Sequence, residues 1–141
     1  MELNRFHLSL PCMDATATRK FYRKELGFTI GRKSYRWFDV NIFGNQITFT
    51  EDDGANVSGA KYEFDTAMLP TFHFGIILDD ETWLSQYNKF KDKDYFTIGV
   101  TKFLSEKIGA HKSFFVIDNN GYFLEFKNFY DHEEIFEWDE S

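Results

Sequence analysis

Two histidines occur at matching positions of the chain and are candidates for metal ligands. His7 lies in Phe6-His7-Leu8, and His73 lies in Phe72-His73-Phe74, 66 residues later. Imidazole is the side chain that most often binds metals in proteins. A single histidine on a strand is more often a packed or solvent-facing residue, but two at one repeated position favour a shared ligand role.

Glu125 is the third candidate ligand. It lies in the apolar run Tyr122-Phe123-Leu124-Glu125-Phe126, where an unpaired carboxylate would be costly. It is therefore exposed, paired with a cation such as Lys127, or bound to a metal. Together with His7 and His73 it would form a facial triad of two imidazoles and one carboxylate, which non-haem Fe(II) oxygenases use.

The metal site predicted from these residues is open. Alignment of Gly44 with Gly121 places Thr48 opposite Glu125, and Thr50 is the next residue on the same face. A threonine hydroxyl is a poor ligand for a borderline metal, so the chain offers three protein ligands rather than four. The remaining positions would be suited to binding substrate directly.

Three other residues are candidates for roles beside the metal. His111 is a candidate catalytic proton acceptor, with a surface-loop histidine as the alternative. Tyr122 and Thr50 are candidate substrate-binding residues, although a tyrosine beside a hairpin usually serves only in packing. His132 lies in an acidic tail, where we expect it to be solvated.

An internal repeat positions these residues. Phe28-Thr29-Ile30-Gly31 recurs as Phe96-Thr97-Ile98-Gly99, 68 residues later, which is close to the spacing of the two histidines. Each half also carries a helical pattern followed by strand-like runs. The sequence thus predicts two modules within a single domain, 1–141. The modules cover about 3–51 and 71–129, with a connection over 52–70 and an acidic tail over 130–141.

Module one is predicted to contain a strand, a helix and three more strands. Arg5–Leu10 alternates apolar and polar residues, which is typical of a half-buried strand. Asp14 is predicted to cap a helix that ends at Leu26, with Gly27 just beyond it. The later strands are predicted over Phe28–Gly31, Trp37–Phe43 and Gln46–Thr50, with a tight turn at Gly44-Asn45.

Module two is predicted to repeat this order. Thr71–Leu78 alternates like a strand, and Asp79-Asp80-Glu81 favours the start of a helix. Strands are then predicted over Tyr95–Ile98, Lys102–Leu104, Ser113–Ile117 and Tyr122–Lys127. Asp118-Asn119-Asn120-Gly121 predicts a type I′ hairpin turn. The connection, 52–70, has no clear period and is long enough to act as a lid.

Composition excludes several classes of protein. Phe, Trp and Tyr form 20% of the 141 residues, which argues against disorder. The net charge is −7, but residues 130–141 hold six acidic residues and no Lys or Arg, which leaves 17 acids against 16 bases in the rest. No basic stripe is present to neutralise phosphates, so nucleic acid is not an expected partner. Ile135, Phe136 and Trp138 are the apolar residues with which the tail could dock.

The expected cellular location is the cytoplasm. Cys12 is the only cysteine, which excludes an internal disulfide and fits a reducing compartment. The sequence has no long apolar run, so neither a signal peptide nor a membrane span is expected.

These motifs resemble the vicinal oxygen chelate superfamily, which includes glyoxalases, bleomycin and fosfomycin resistance proteins and extradiol dioxygenases. The resemblance covers roughly residues 3–130. The motifs that carry it are Phe6-His7-Leu8-Ser9-Leu10, Phe21-Tyr22 with Glu25-Leu26-Gly27-Phe28, His73-Phe74-Gly75, and Asp118 with Gly121 and Leu124-Glu125-Phe126-Lys127. It implies an α+β fold, in which two βαβββ modules form a curved, cup-like mixed sheet with the helices outside. It also implies that His7, His73 and Glu125 are the metal ligands.

The chain is also similar to the small bacterial proteins that are described as predicted extradiol-type dioxygenases. The similarity lies in Trp37-Phe38-Asp39-Val40-Asn41-Ile42-Phe43-Gly44-Asn45-Gln46 and in Leu124-Glu125-Phe126-Lys127-Asn128-Phe129. This chain departs from that subgroup at Asn45 and Thr50, where the subgroup tends to have histidines.

The resemblance implies a metal-dependent dioxygenase of extradiol type that acts on a small catechol-like substrate and O₂. Fe(II) is the expected metal, with Mn(II), Zn(II) or Ni(II) as alternatives, and a homodimer is the expected assembly. A glyoxalase-like isomerase or a resistance transferase is one alternative. The other is a metal-free drug-binding protein, which the aromatic excess would suit.

Overall fold

The computed structural model describes residues 4–55, 57, 59–65 and 67–137 of the chain. The chain divides into two compact units. The first unit is formed by the described part of Met1–Ser58 together with Asp118–Gly121, and the second by the described part of Gly59–Ile117 together with Tyr122–Ser141. Trp138 and the end of the acidic tail lie outside the described residues.

The first unit has the predicted βαβββ order. Strand β1 (His7–Cys12) is followed by helix α1 (Ala15–Lys20) and by strands β2 (Thr29–Lys33), β3 (Trp37–Ile42) and β4 (Asn45–Glu51). They form one sheet in the order β1-β4-β3-β2, in which β1 and β4 are parallel.

The second unit repeats this arrangement. Strand β7 (Phe74–Ile77) is followed by helix α2 (Asp80–Phe90) and by strands β8 (Phe96–Phe103), β9 (His111–Ile117) and β10 (Phe123–Phe129). Their sheet has the order β7-β10-β9-β8, with β7 and β10 parallel. The equivalent orders confirm the α+β class and the module repeat.

A β-hairpin lies within the connection, where the sequence predicted no regular structure. Strand β5 (Lys61–Phe64) pairs with strand β6 (Ala67–Pro70) in a separate two-stranded sheet. Phe64 packs on Phe103, with 5.4 Å between the ring centroids. Leu69 joins Phe103 and Phe115 in a buried cluster. The hairpin is therefore stabilised by packing on residues far away in the sequence.

The predicted first helix changes form before it ends. Asp14 caps it as predicted, because its side chain accepts a hydrogen bond from the Ala17 amide. A π-helical turn then covers Phe21–Glu25, in which the Leu26 amide reaches back to the Phe21 carbonyl. Gly27 follows with a φ of 78°, which suits the predicted position just beyond the helix.

Two predicted turns differ from the structure. Positive φ values of 50° at Phe43 and 88° at Gly44 place the first turn one residue earlier than Gly44-Asn45. In the turn at 118–121, Gly121 alone has a positive φ, whereas a type I′ turn needs two such residues. Asp118 organises this turn instead, by accepting hydrogen bonds from the amides of Asn120 and Gly121.

The remaining differences are strand boundaries. Strand β1 begins at His7 rather than Arg5, and β7 begins at Phe74, so that His73 immediately precedes its strand. The two short strands predicted around 95–104 are one strand, β8, whose pairing with β9 shifts register at two points. Within the described ranges, neither helix has the length and hydropathy needed to cross a bilayer.

Candidate functional site

His73 and Glu125 face each other in the second unit. Nε2 of His73 lies 3.3 Å from Oε1 of Glu125. The other ring nitrogen, Nδ1, lies 2.9 Å from the carbonyl oxygen of Pro70 at the end of β6. A carbonyl can only accept, so Nδ1 carries the proton and Nε2 is the nitrogen available to a cation or a second proton. A carbonyl partner on the far nitrogen is the usual support of a metal-binding histidine.

Glu125 is held from two sides. Its second oxygen, Oε2, accepts a hydrogen bond of 2.6 Å from the Ser113 hydroxyl on β9. Its backbone pairs with Gly75 on β7, where an added Cβ atom would come within 1.9 Å of the Glu125 carbonyl oxygen. Only glycine therefore permits this approach of β7 to β10. The result is a carboxylate with 8% exposure, whose Oε1 atom points to His73.

The electrostatics of this pair favour charged groups on both sides. The pKa of His73 is raised, chiefly by its hydrogen bond to Glu125, while burial and the charge of Lys127 oppose the shift. Burial pushes the pKa of Glu125 upward, but hydrogen bonds from His73 and Ser113 and the charge of Lys127 outweigh it, so the net shift is downward. The interaction therefore stabilises the protonated form of His73 and the ionised form of Glu125.

A small cavity of about 110 Å³ surrounds the pair. One water molecule takes up about 30 Å³ of liquid. The cavity therefore has room for about three or four waters, or for a metal ion with part of its hydration shell. Its lining comprises His73, Glu125, His111 and Lys127, with Tyr62, Phe64, Leu69 and Phe103 as apolar walls. The sequence did not indicate the contribution of the β5–β6 hairpin or of Lys127 to the lining. Charged and aromatic residues alternate over 61–64, and this alternation is the sequence signal that could have predicted strand β5.

His111 lies in the wall of this cavity, which makes the surface-loop alternative wrong. It is the first residue of β9 and is only 7% exposed. Its ring packs between Phe103 and Phe129, with centroid distances of 5.1 Å to each. Nδ1 lies 2.9 Å from the Gly109 carbonyl oxygen. Burial lowers the pKa of His111 despite that hydrogen bond, so the ring is neutral at pH 7 and Nε2 carries a lone pair.

The predicted residues His7 and Thr50 belong to the first unit. His7 is exposed at the start of β1, opposite Gln46 of β4. Its positive charge, when protonated, helps to lower the pKa of Asp39 on the neighbouring strand β3. Thr50 is also exposed, between Pro11 of β1 and Trp37 of β3. The ligand role of His7 and the substrate role of Thr50 stay predictions.

Tyr122 is 4% exposed in the second unit. Its ring contacts Phe72 and Phe74, with centroid distances of 5.9 and 6.3 Å. These aromatic contacts fit a packing role for Tyr122, and its contact with substrate stays a prediction.

The donor set of the second unit fits part of a divalent metal site. An imidazole nitrogen and a carboxylate oxygen, each held by a hydrogen bond on its far side, are two members of a facial triad. Within the described ranges, no group of three or more His, Cys, Asp or Glu side chains is placed so that it could hold a metal ion. The three-ligand site therefore stays a prediction.

Comparison with known proteins establishes the family. The sequence model of the glyoxalase/bleomycin resistance protein/dioxygenase superfamily matches residues 5–126. The chain belongs to this superfamily. No curated protein sequence matches the chain. Members of the superfamily commonly use a divalent metal.

Solved structures of the superfamily share the fold of this chain. A glyoxalase/bleomycin resistance protein/dioxygenase from Alicyclobacillus acidocaldarius is 25% identical, with a TM-score of 0.80 over 95% of this chain and 97% of that chain. A fosfomycin resistance protein from Listeria monocytogenes is 16% identical, with a TM-score of 0.63 and coverage of 95% and 98%. A lactoylglutathione lyase from Agrobacterium tumefaciens is 11% identical, with a TM-score of 0.59 and coverage of 91% and 95%.

Proposed function

We propose that this superfamily member is a metal-dependent dioxygenase of extradiol type that acts on a small catechol-like substrate. The observation that carries the proposal is the buried pair of His73 and Glu125, in which Pro70 and Ser113 occupy the far atoms and leave Nε2 and Oε1 facing each other. His7 is the third proposed ligand. Fe(II) is the proposed metal, because two imidazoles and a carboxylate are the ligands of non-haem Fe(II) oxygenases.

The bound metal would act as a Lewis acid and as a template for substrate and O₂. The chain itself supplies the surroundings. Ser113 fixes the rotamer of Glu125, and the Pro70 carbonyl fixes that of His73. Phe64 and Phe103 form aromatic walls that reduce the polar surface around the pair. His111 accepts a substrate proton at Nε2, because its Nδ1 atom is engaged by the Gly109 carbonyl and its low pKa keeps it neutral.

A metal-free binding protein is the second candidate, and one observation favours it. Protonated His73 neutralises the charge of Glu125, and Ser113 donates a hydrogen bond to the remaining oxygen of Glu125. The buried carboxylate is therefore compensated without a metal, as burial of a charge requires. In a metal-free binding protein, His73 and Glu125 would stabilise the second unit, and aromatic side chains would bind the ligand.

The metal content of anaerobically purified protein tests the proposal. We expect near-stoichiometric iron or manganese in the wild type, and loss of the metal in His7→Ala, His73→Ala and Glu125→Ala. His132→Ala is the matched control, because His132 also pairs with a carboxylate, Asp80, at 2.9 Å, but on the surface. Oxygen uptake with a panel of catechols then tests the reaction.

The outcomes separate the candidates. Metal-dependent oxygen uptake that disappears in the three ligand variants and persists in His132→Ala would support the dioxygenase. Zinc or nickel without oxygen uptake would point to glyoxalase-like isomerisation or to a resistance transferase. If no divalent metal binds even after addition of Fe(II), the metal-dependent function is wrong and the binding protein is the better account.

A further inference from the structure

The first unit contains a larger cavity than the one around His73. It has a volume of about 330 Å³, which lies at the lower end of the range for small-molecule sites. The residues at its rim come from the segment before β1, from β2 and from the turn between β3 and β4. Its polar lining residues are Arg5, Arg32, Asp39, Asn41, Asn45 and Gln46.

Asp39 organises the floor of this cavity and is already satisfied. Its side chain is 6% exposed, and Oδ2 lies 2.6 Å from Nε of Arg32. Oδ2 also accepts a hydrogen bond of 3.2 Å from the Gln46 amide, and Oδ1 accepts one of 2.7 Å from the Thr48 hydroxyl. Burial pushes the pKa of Asp39 upward, but the hydrogen bonds from Arg32 and Thr48 and the charge of Arg32 outweigh it, so the net shift is downward. The carboxylate therefore fixes Arg32 without needing a cationic ligand.

The groups left over in the cavity are donors. Arg32 uses Nε for Asp39 and lies over the Trp37 ring at 5.2 Å, and its side chain is 67% exposed, so its terminal nitrogens are accessible. Arg5 donates from Nη1 to the Gly44 carbonyl at 2.9 Å, which leaves the rest of its guanidinium group for a ligand. Asn41 uses Oδ1 to accept from the Gly44 amide at 2.7 Å, and its amide nitrogen is a further donor. Two cations against one carboxylate give this cavity a net charge of +1.

Arg5 lies against the turn at Gly44 and is hydrogen-bonded to it. An added Cβ atom at residue 44 would lie 2.8 Å from Nη1 of Arg5, and the φ of 88° also favours glycine. The turn thus brings a guanidinium group over the cavity and holds it through a backbone carbonyl. A guanidinium group restrained by a hydrogen bond loses less entropy when it binds an oxyanion, which strengthens binding.

We propose that this cavity binds a small organic anion, whose oxyanion group is held by Arg5 and Arg32. Guanidinium groups match the planar geometry of carboxylates and also bind phosphates, and their charge-assisted hydrogen bonds are stronger than neutral ones. The volume is sufficient for one small ring or chain that carries such a group. The proposal concerns binding alone and holds whether or not the protein binds a metal.

Binding of benzoate to the metal-free, full-length chain tests the proposal. In the presence of EDTA, titration followed by NMR should give saturable shifts of the side-chain amide signals of Asn41, Asn45 and Gln46. Arg5→Gln and Arg32→Gln should each weaken binding at least about tenfold, since one charge-assisted hydrogen bond contributes that much or more. Arg5→Gln leaves the partners of Asp39 intact, so a folding defect in Arg32→Gln would not prevent the test.

Arg36→Gln is the matched control variant, because Arg36 also pairs with a carboxylate of the first unit, Glu51, at 3.2 Å. It should leave the affinity within about twofold, as expected of a charge outside the cavity at ordinary ionic strength. Benzamide, which has the same ring without the charge, should not bind saturably. Titration with inorganic phosphate distinguishes a carboxylate ligand from a phosphate ligand. Stronger binding of phosphate than of benzoate would assign a phosphate-bearing ligand, and weaker binding would assign a carboxylate.

Two results would overturn the proposal. One is the absence of saturable shifts with both benzoate and phosphate. The other is an affinity for benzoate that stays the same in Arg5→Gln and Arg32→Gln, or that benzamide equals. Because metal and oxygen are absent from this experiment, its failure is distinguishable from failure of the proposed dioxygenase.

Discussion

At the scale of single residues, hydrogen bonds on the far atoms decide which atoms of His73 and Glu125 are available. Pro70 takes Nδ1 of His73, and Ser113 takes Oε2 of Glu125. Each support restricts a side chain that would otherwise sample several rotamers. Nε2 and Oε1 are therefore held 3.3 Å apart before any ligand arrives.

Ser113→Ala tests the support of the carboxylate. Ser113 is fully buried, so its loss leaves Oε2 of Glu125 with an unsatisfied acceptor site and should lower the free energy of unfolding by about 1–3 kcal/mol. Metal affinity should fall about 10–100-fold, the usual effect of losing a group that orients a ligand. Isothermal titration with Mn(II) and urea unfolding measure both effects. Thr101→Ala, which removes a hydroxyl bonded to the Gly99 carbonyl, should change neither appreciably.

His111 should make stability depend on pH. Its pKa is lowered in the folded chain, mainly by burial between Phe103 and Phe129 and also by the charge of Lys127. The hydrogen bond to the Gly109 carbonyl and the charges of Glu125 and Asp65 oppose this shift. Below the ordinary histidine pKa of about 6.5, the unfolded chain therefore binds a proton that the folded chain does not. The His111 contribution to stability should be complete above about pH 7 and should be lost as pH falls towards the lowered value.

Urea unfolding at several pH values, on wild type and His111→Phe, measures this contribution. Relative to wild type, the variant should have a smaller loss of unfolding free energy between about pH 7 and pH 5. Equal slopes for the two proteins would contradict the assignment to His111. His132→Phe is the control, because His132 is an exposed histidine.

At the scale of elements, the site depends on how closely two parallel strands approach each other. Strand β7 contributes Gly75 and β10 contributes Glu125, and the two residues are register partners. The β5–β6 hairpin then adds Pro70, which holds His73, and the apolar walls of the cavity. Three separate segments of the second unit are thus required to assemble one pair of side chains.

Gly75→Ala should disrupt the site through the backbone. The new Cβ atom would meet the carbonyl oxygen, carbonyl carbon and amide nitrogen of Glu125 at 1.9, 2.7 and 2.8 Å, which requires the strands to separate. Such backbone shifts cost about 1–3 kcal/mol or more, and they would also move the Glu125 carboxylate. Thermal unfolding and metal titration are the measurements.

Gly99→Ala is the matched control for this substitution. Gly99 also lies in a strand of the second unit, but an added Cβ atom there would meet only Phe96, at an ordinary 3.9 Å. It should change stability by less than about 1 kcal/mol, because an exchange of Gly for Ala at a compatible position has a small effect. A similar loss in both variants would refute the close-approach argument.

At the scale of the whole molecule, two units of the same topology carry different chemical groups. The second unit holds a buried His73–Glu125 pair in a cavity of about 110 Å³, whereas the first holds a cavity of about 330 Å³ lined by two arginines. The repeated strand order shows that one module design supports both arrangements. The homodimer and the cytoplasmic location expected from the sequence stay predictions.

Metal binding should stabilise the folded chain. A ligand that binds only the folded state at about 100 times its Kd contributes about 2.7 kcal/mol, which corresponds to a rise in Tm of roughly 5–10 °C for a chain of this size. Differential scanning fluorimetry with and without Fe(II) or Mn(II) under anaerobic conditions measures the shift, and EDTA should reverse it. The shift should vanish in Glu125→Ala and persist in His132→Ala. A shift that survives in Glu125→Ala would place the metal elsewhere.

Local patterns in the sequence were sufficient for most of the elements. The alternation in the first strand, the caps at Asp14 and Asp79 and the repeated order of helix and strands depend on neighbouring residues, so they can be recognised without tertiary contacts. The repeat also assigned His73 to the first strand of module two, although the structure places it one residue before that strand, and the apolar run around Glu125 assigned this residue to the last strand. Glu125 was predicted to need a partner because a charge among apolar residues must be compensated.

Other features were decided by contacts between residues distant in the sequence. The β5–β6 hairpin has a weak local pattern and depends on packing of Phe64 and Leu69 with Phe103. His111 looked like a loop residue, but pairing of β9 with β10 places it beside Phe129. The anion-binding cavity likewise required Arg5 to meet a turn 39 residues away. Short-range patterns determine which elements form, whereas burial and side-chain partners arise only when those elements pack together.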